Sequence, residues 1–373
     1  MSAGSAGKAG SAEGAGSAGS AGKAGSPPGK RRRWRRMALW ISGAVVLVVA
    51  GLGLYVYLTV QHTAERMYQP LPADRPKYVA RDPELRQLQD VAGEGAPAQA
   101  APNAPADLPA NGGALPQPAA VQVQAKARSP GAFTALLLGV DQRPGDRGRS
   151  DTIMVATVNP NSGKALLFNI PRDTRTRLVK RGYDDKINHA YAYDGIAGAM
   201  ATVENFLDMP IDYYVQVNME GFETIVDQLG GVDVDSAFAF DIDGFYFPKG
   251  AQHLNGEYAL KYARMRFEDP RGDFGRNERQ RQVVRNLYHR VTQWDNVAAF
   301  AGLLDTIGDH VRTNLTFDQM QKMFVKYRTK VATIESTEIK GQGTRIGGIY
   351  YYLVNDTERT RIHDAMKAEL LED

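Results

Sequence analysis

Residues 133–140 (FTALLLGV), 152–158 (TIMVATV) and 165–170 (ALLFNI) are three short apolar or β-branched runs, bounded by Asp, Gly, Asn and Pro. Runs of this length with turn residues on either side read as strands buried in a sheet, and the short connections make them neighbours. Downstream the periodicity changes. Ile196–Leu207 carries apolar residues at helical spacing and ends near Pro210; Tyr213–Val217 is strand-like; Glu220–Leu229 is helical and stops at Gly230-Gly231. Further helices are predicted over Asn255–Ala263, Asn277–Val291, Asn296–Leu304, Phe317–Tyr327 and Asp356–Leu371, with strands near Thr333–Ile339 and Ile349–Val354. Helices mixed with strands in this way predict an α/β domain of three layers, α/β/α, around a central mixed sheet.

Upstream of this domain the 373-residue chain changes character twice. Residues 2–10 and 17–25 are the same nine letters, SAGSAGKAG, and no large apolar residue occurs before Trp34, so residues 1–36 are expected to be a disordered basic tail. A literal G-x-G-x-x-G match at Gly14–Gly19 has neither a strand before it nor a helix after it, and carries no phosphate-binding argument. Met37–Val60 is uncharged and rich in Val, Leu, Ile, Ala and Gly. As a helix it would measure roughly 36 Å against a hydrocarbon core of roughly 30 Å. Six of the seven residues Lys30–Arg36 are basic, which predicts a cytoplasmic N-terminus and a single-pass type II cell-membrane protein with everything after Val60 outside. Residues 61–131 are then an extracytoplasmic linker, Ala/Pro-rich from Ala92 onward, and residues 132–373 the folded domain. The formal charge of +3 is misleading: residues 1–36 hold +7, so the rest of the chain sums to −4. A nucleic-acid partner, which needs a basic excess on the folded surface, is not expected. The absence of cysteine excludes thiol nucleophiles, Cys zinc sites and iron–sulfur clusters.

No G-x-S-x-G, H-E-x-x-H or Walker loop is present, so serine-hydrolase and zinc-protease chemistry lacks its residues. Polar residues instead gather at strand ends. Asp141 follows one strand and Asp151 precedes the next, so neighbouring strands would bring both carboxylates to the sheet edge where ligand crevices lie in open α/β folds. Two hard oxygen ligands suit Mg²⁺, which completes its shell with water and phosphate. The same pair serves equally as turn-capping residues of a connection containing Pro144-Gly145. Arg172, after Pro171, would be aimed into the same crevice, although an Arg-Asp turn is also an ordinary surface ion pair. Arg264 and Arg266 share a face only in extended chain, so the helix before them should end near Arg264. Arg276 and Gln280 share a face if a helix starts near Asp273, which can cap it. Guanidinium forks match phosphate oxygens, and several at one crevice would neutralise a pyrophosphate. A solvated basic helix face is the other reading. It suits Arg279, Arg281 and Arg285, and suits Arg264, Arg266 and Arg276 less well, because Leu260, Met265 and Phe267 place part of that segment in a core. In Lys186–Tyr191, His189 reads as a hydrogen-bonded structural residue ahead of a base.

The motifs LLLGVDQR, GRSDTIMVATVNP, FNIPRDT, KINHAYAYDG, LGGVDVD, HLNGEYALKYARMR and GDFGRNERQRQVV, in this order over residues 133–295, together resemble the LytR-CpsA-Psr family of cell-envelope glycopolymer transferases. The resemblance implies a type II membrane protein with an α/β/α domain. It also implies transfer of a glycopolymer, such as wall teichoic acid or capsule, from an undecaprenyl pyrophosphate carrier to peptidoglycan. Carried over by motif, the Mg²⁺ carboxylates are Asp141 and Asp151. The pyrophosphate-binding arginines are Arg149, Arg172, Arg264, Arg266 and Arg276, with Gln280 beside them. The expected reaction is attack of a peptidoglycan sugar hydroxyl on the phosphorus bearing the glycopolymer, with Arg172 and Asp151 as catalytic residues and Asp151 ahead of Asp141 as proton acceptor. An apolar tunnel between sheet and helices would hold the isoprenoid. Two other readings use the same residues: hydrolysis of polyprenyl pyrophosphate, and a non-catalytic, membrane-anchored binding or regulatory module.

Overall fold

The structure is a computed structural model that describes residues 57–58, 61–83, 85, 128–141, 148–293, 303 and 306–371. The basic tail, the greater part of the apolar stretch 37–60, the Ala/Pro-rich residues 92–127 and the helix expected over Asn296–Leu304 fall outside the described residues, Leu303 excepted. Among the described residues, no helix is long and apolar enough to cross a membrane.

The first three predicted strands are β1 (Phe133–Val140), β2 (Ser150–Asn159) and β3 (Lys164–Asn169). After them come a ribbon of β4 (Arg175–Leu178) and β5 (Tyr183–Lys186), helix α1 (His189–Leu207), β6 (Tyr213–Asn218) and α2 (Met219–Gln228). Two more ribbons use β7 (Val232–Ser236), β8 (Phe240–Ile242), β9 (Phe245–Phe247) and β10 (Gly250–Leu254). Helices α3 (Gly256–Arg264) and α4 (Asp273–Thr292) are followed by β11 (Val311–Thr313), α5 (Phe317–Tyr327) and β12 (Thr333–Glu338). The hairpin β13 (Gln342–Ile346) and β14 (Ile349–Leu353) precedes the last helix, α6 (Asp356–Leu370). The central sheet has the order β11-β6-β1-β2-β3-β12. β1 runs antiparallel to β2 and parallel to β6, and β3 runs parallel to β12, so the sheet is mixed as predicted.

Alternation along the strands divides the sheet into two unlike faces. Leu136, Leu138 and Val140 of β1, Ile153 and Val155 of β2, and Leu166 and Phe168 of β3 pack with Ile196, Met200 and Val203 of α1 and with Ile362 and Met366 of α6. Each such side chain, taken from water, contributes roughly 1.5–3 kcal/mol. Truncating Phe168, which is fully buried, to Ala would cost about 3–5 kcal/mol. On the opposite face, Leu137, Met154, Val215 and Val217 meet α2, α3 and α4 across an open space. Cap chemistry places those helices. The Asn218 side chain accepts from the Gly221 N–H at the start of α2, and Asn255 from Tyr258 at the start of α3.

The ribbons β4–β5 and β7–β10 and strands β11 and β13 were not foreseen: β4, β5, β11 and β13 are short and largely polar, and the alternation of Val232 and Val234 with Asp233 and Asp235 in β7 was overlooked. The segment expected as a linker from residue 61 also differs from expectation. Ala64, Met67, Ala80 and Leu85 are buried in the domain's apolar clusters, and the Gln69 N–H donates to the Thr313 carbonyl at 2.8 Å. Apolar residues spaced through 64–85 give this stretch a surface to bury, which the Ala/Pro run after it lacks.

Candidate active site

A break in the β1–β2 ladder is the first determinant of the site. Gly139 pairs with Thr152 and Val140 with Ser150, leaving Asp151 as one extra residue on β2. In an unbroken ladder Asp151 would share a face with Ile153 and Val155 and point into the apolar core. The bulge turns it to the other face, where it lines the open space beside Thr152. Asp141, one residue past β1, lines the same space, and its N–H donates to the Arg149 carbonyl at 3.2 Å across the end of the ladder.

Arg172 stands at the exit of β3, where the Thr174 hydroxyl donates to the Pro171 carbonyl at 2.6 Å and sets the turn. Its Nη1 donates to Asp151 Oδ1 at 2.6 Å. Burial works against the Arg172 charge, but Asp151, with Asp273 and Asp173 nearby, holds its pKa above the ordinary arginine value. Asp173 is tied in turn by Lys186 Nζ at 2.7 Å.

Helix α3 ends at Arg264 because Met265 is extended, with ψ at 134°. Arg266 thereby projects from non-helical chain, as its spacing predicted. The corner is held by Arg279: its Nε donates to the Tyr262 carbonyl at 3.1 Å, its Nη1 reaches Asp269 at 2.6 Å, and its Nη2 donates to the Met265 carbonyl. Arg279 and Arg281 are therefore buried structural cations and not part of a solvated helix face, the reading their spacing favoured. Arg281 donates to Asn169 Oδ1 and pairs with Glu278 and Glu338. Gln280 braces the same point: its Oε1 accepts from Asn169 Nδ2 at 3.0 Å and its Nε2 donates to the Ala263 carbonyl at 3.3 Å.

Arg276 is 7% exposed. Asp273 is the first residue of α4 and makes no cap; it pairs with Arg276 Nη2 at 2.6 Å instead. Burial drives the Arg276 pKa below the ordinary arginine value; Asp273 and Asp151 oppose this, while Arg172 and Arg266 add to it. Arg276 Nε and Arg172 Nε are buried and make no hydrogen bond with any described residue. Buried guanidinium N–H groups without acceptors cost free energy that an anionic ligand would recover.

Asp141, Asp151, Arg172, Arg264, Arg266, Arg276 and Gln280 thus line one cavity of about 400 Å³. Arg149 is exposed and is not part of that lining; its charge acts on Tyr193 instead. Inside the charged mouth the walls are apolar: Leu137, Met154, Val215 and Val217 from the sheet, Phe222 and Ile225 from α2, Leu260 from α3, and Val284 and Leu287 from α4. Charge at one end and hydrocarbon at the other suit a lipid with an anionic head. As for a metal, among the described residues no three His, Cys, Asp or Glu side chains form a ready-made cage. Two carboxylates on one cavity wall fit an ion that draws most of its shell from water and phosphate oxygens. Sequence reasoning missed Asp173 and Lys186 as neighbours of the site. It took Asp273 for a cap, although the i, i+3 spacing to Arg276 carried the signal of a pair.

Known proteins resemble the chain in sequence and fold. The chain is 40% identical over 332 residues to a polyisoprenyl-teichoic acid–peptidoglycan teichoic acid transferase TagU of Halalkalibacterium halodurans, covering 88% of this chain and 96% of the relative. It is 46% identical over 238 residues to TagU of Bacillus subtilis, covering 64% and 78%. The crystal structure of B. subtilis TagU superposes with a TM-score of 0.54 at 42% identity, over 65% of this chain and 98% of that one. The structure titled TagT bound to LIIa-WTA superposes with a TM-score of 0.56 at 29% identity, over 64% and 91%. The model of the LytR_cpsA_psr family matches residues 110–368, and the chain belongs to that family.

Proposed function

We propose that this chain is a phosphotransferase that moves a glycopolymer, of the wall teichoic acid or capsule type, from an undecaprenyl pyrophosphate carrier to peptidoglycan. The observation that carries the proposal is the pair of buried, acceptorless N–H groups, Arg172 Nε and Arg276 Nε, at the mouth of an apolar cavity. A pyrophosphate supplies the missing acceptors, and the isoprenoid occupies the apolar walls. The names of the relatives support the same substrates.

In the proposed reaction a peptidoglycan sugar hydroxyl attacks the phosphorus that carries the glycopolymer. A phosphodiester to the sugar forms, the bridging P–O bond breaks, and polyprenyl monophosphate leaves. Arg172 and Arg276 hold the pyrophosphate oxygens and take up the charge that builds on the leaving phosphate, with Arg264 and Arg266 at the rim and Arg149 outside it. Asp151, fixed by Arg172, accepts the hydroxyl proton. Mg²⁺, when bound by Asp141 and Asp151, would supply further charge neutralisation at the phosphate oxygens. The apolar stretch Met37–Val60 would anchor the domain on the outer side of the cell membrane, where lipid-linked donors and peptidoglycan meet.

Full-length protein incubated with Mg²⁺, a lipid-pyrophosphate-linked saccharide and peptidoglycan strands tests the proposal. A covalent saccharide–peptidoglycan conjugate and an equal amount of polyprenyl monophosphate are expected. Polyprenyl monophosphate with free saccharide phosphate would make the protein a hydrolase, and binding without any turnover would make it a holding module.

A further inference from the structure

Beside the mouth of the cavity, on the side away from its apolar walls, lies a surface that the donor does not use. Tyr183 and Tyr193 are 48% and 41% exposed there. Tyrosines are amphipathic, and large rings left in water near a reactive centre mark a surface made to be covered. These come from two different elements, β5 and α1. The β4–β5 ribbon and β14 are joined where Thr174 bridges Tyr352 and the Tyr352 N–H donates to the Asp173 carbonyl at 2.9 Å.

A polar floor beside Tyr193 leads to Arg172. His189 Nδ1 lies 2.7 Å from Asp185 Oδ2, and the Tyr351 hydroxyl donates to Asp185 Oδ1 at 3.3 Å. The His189 ring is 5.6 Å from the Tyr193 ring, and the Arg181 guanidinium sits 5.3 Å from the Tyr193 ring centre. Lys186 Nζ is 5.9 Å from the Tyr351 ring and 2.7 Å from Asp173, whose backbone adjoins Arg172. Asp185, Tyr183 and Arg149 are near enough to act on the Tyr193 hydroxyl. One surface therefore joins Tyr183 and Tyr193 to the reactive carboxylate and arginine.

We infer that Tyr183 and Tyr193, with the Asp185–His189 pair beside them, form the subsite for the acceptor, a chain of N-acetylated hexoses. Pyranose rings carry flat C–H faces that lie on tyrosine rings, and hydroxyl edges that bond to carboxylate, imidazole and guanidinium groups. A platform of two rings with charged groups beside them meets both needs, whereas a lipid surface would need basic and aliphatic groups without the paired Asp185–His189 floor. The inference rests on the transferase reading, since it supplies the second substrate of that reaction, and it accounts for Lys186–Tyr191, a motif that donor binding leaves without a role.

The test uses full-length protein in nanodiscs and a short, uncrosslinked peptidoglycan glycan strand, with binding measured by calorimetry and no turnover required. The wild type should bind the strand, and Tyr183→Ala/Tyr193→Ala should weaken it by roughly tenfold or more. Tyr183→Phe/Tyr193→Phe should stay within about threefold, because the ring faces remain. Binding of polyprenyl pyrophosphate should be the same in all three, which also shows that the variants are folded. Strand binding unchanged in the double-alanine variant, or absent in the wild type, overturns the inference. So does a double-alanine variant that loses affinity for anionic phospholipid vesicles and keeps its affinity for the strand. Failure of the transferase reading would look different: strand binding that depends on the tyrosines, but no conjugate from a verified donor.

Discussion

Replacing Arg276 with Met should make the protein more stable and less able to bind its donor. Arg276 is 7% exposed, and its Nε–H lacks an acceptor among the described residues. A buried group of this kind costs about 1–3 kcal/mol. Methionine keeps the unbranched stem and removes it. The loss of the Asp273 ion pair offsets part of the gain, but the Asp273 side chain is 24% exposed and can return to water. A net stabilisation of up to about 2 kcal/mol follows, which for a domain of this size raises Tm by up to roughly 8 °C. Against this, removing one partner of a buried, charge-assisted contact to pyrophosphate should weaken donor binding by about 2–5 kcal/mol, thirtyfold or more. Thermal scans with and without a short polyprenyl pyrophosphate report both effects. The wild type should gain about 2.7 kcal/mol when the donor is present at one hundred times its Kd, and the variant should show little shift at the same concentration. Arg276→Met that unfolds earlier than the wild type without donor, or that keeps the full donor shift, would refute the reasoning.

Gly275 tests the scaffold behind the arginines. A Cβ there would sit 1.6 Å from Asp269 Oδ2, so Gly275→Ala must displace Asp269 from the buried Arg279 pair, at about 3–5 kcal/mol by chemical denaturation. The Asp185 carboxyl gives a pH test. Burial alone would raise its pKa, but the His189 hydrogen bond and the Lys186 N–H pull it below the usual carboxylate range. A depressed carboxylate contributes stability above its unfolded pKa of about 4, and that stability is lost as pH falls through the folded value. Asp185→Asn should therefore be less stable than the wild type at neutral pH, with the gap closing in acid; urea titrations across pH measure it. Val284 lines the apolar wall, so Val284→Trp should weaken binding of long polyprenyl pyrophosphates at least tenfold while sparing short ones, as competition binding with a chain-length series would show.

The middle of the sheet was legible because β1, β2 and β3 are apolar runs, whereas the three-residue edge strand β11 was not. β1 is Phe133–Val140, the range read from sequence, and the helix over Phe317–Tyr327 has the predicted ends, where a Thr316–Gln319 capping box marks its start. The convergence of Asp141, Asp151, Arg172, Arg264, Arg266, Arg276 and Gln280 on one cavity was also legible, because strand ends and the α3–α4 turn carried them. Three features were hidden. The bulge that turns Asp151 around leaves no mark in composition, since only the register of Gly139 and Val140 against β2 reveals it. Arg279 and Arg281 have the spacing of surface residues, and only tertiary acceptors, the carbonyls of Tyr262 and Met265 and the side chain of Asn169, make them interior. Residues 64–85 follow a long apolar run and precede an Ala/Pro stretch, so scattered Ala64, Met67, Ala80 and Leu85 gave too weak a pattern to separate them from a spacer.

A crystal structure with a short polyprenyl pyrophosphate bound tests the central claim most directly. The account predicts pyrophosphate oxygens within hydrogen-bonding distance of Arg172 Nε and of Arg276 Nε, with the isoprenoid against Leu137, Val215 and Ile225. A pyrophosphate bound elsewhere, with those two N–H groups still lacking acceptors, would contradict it.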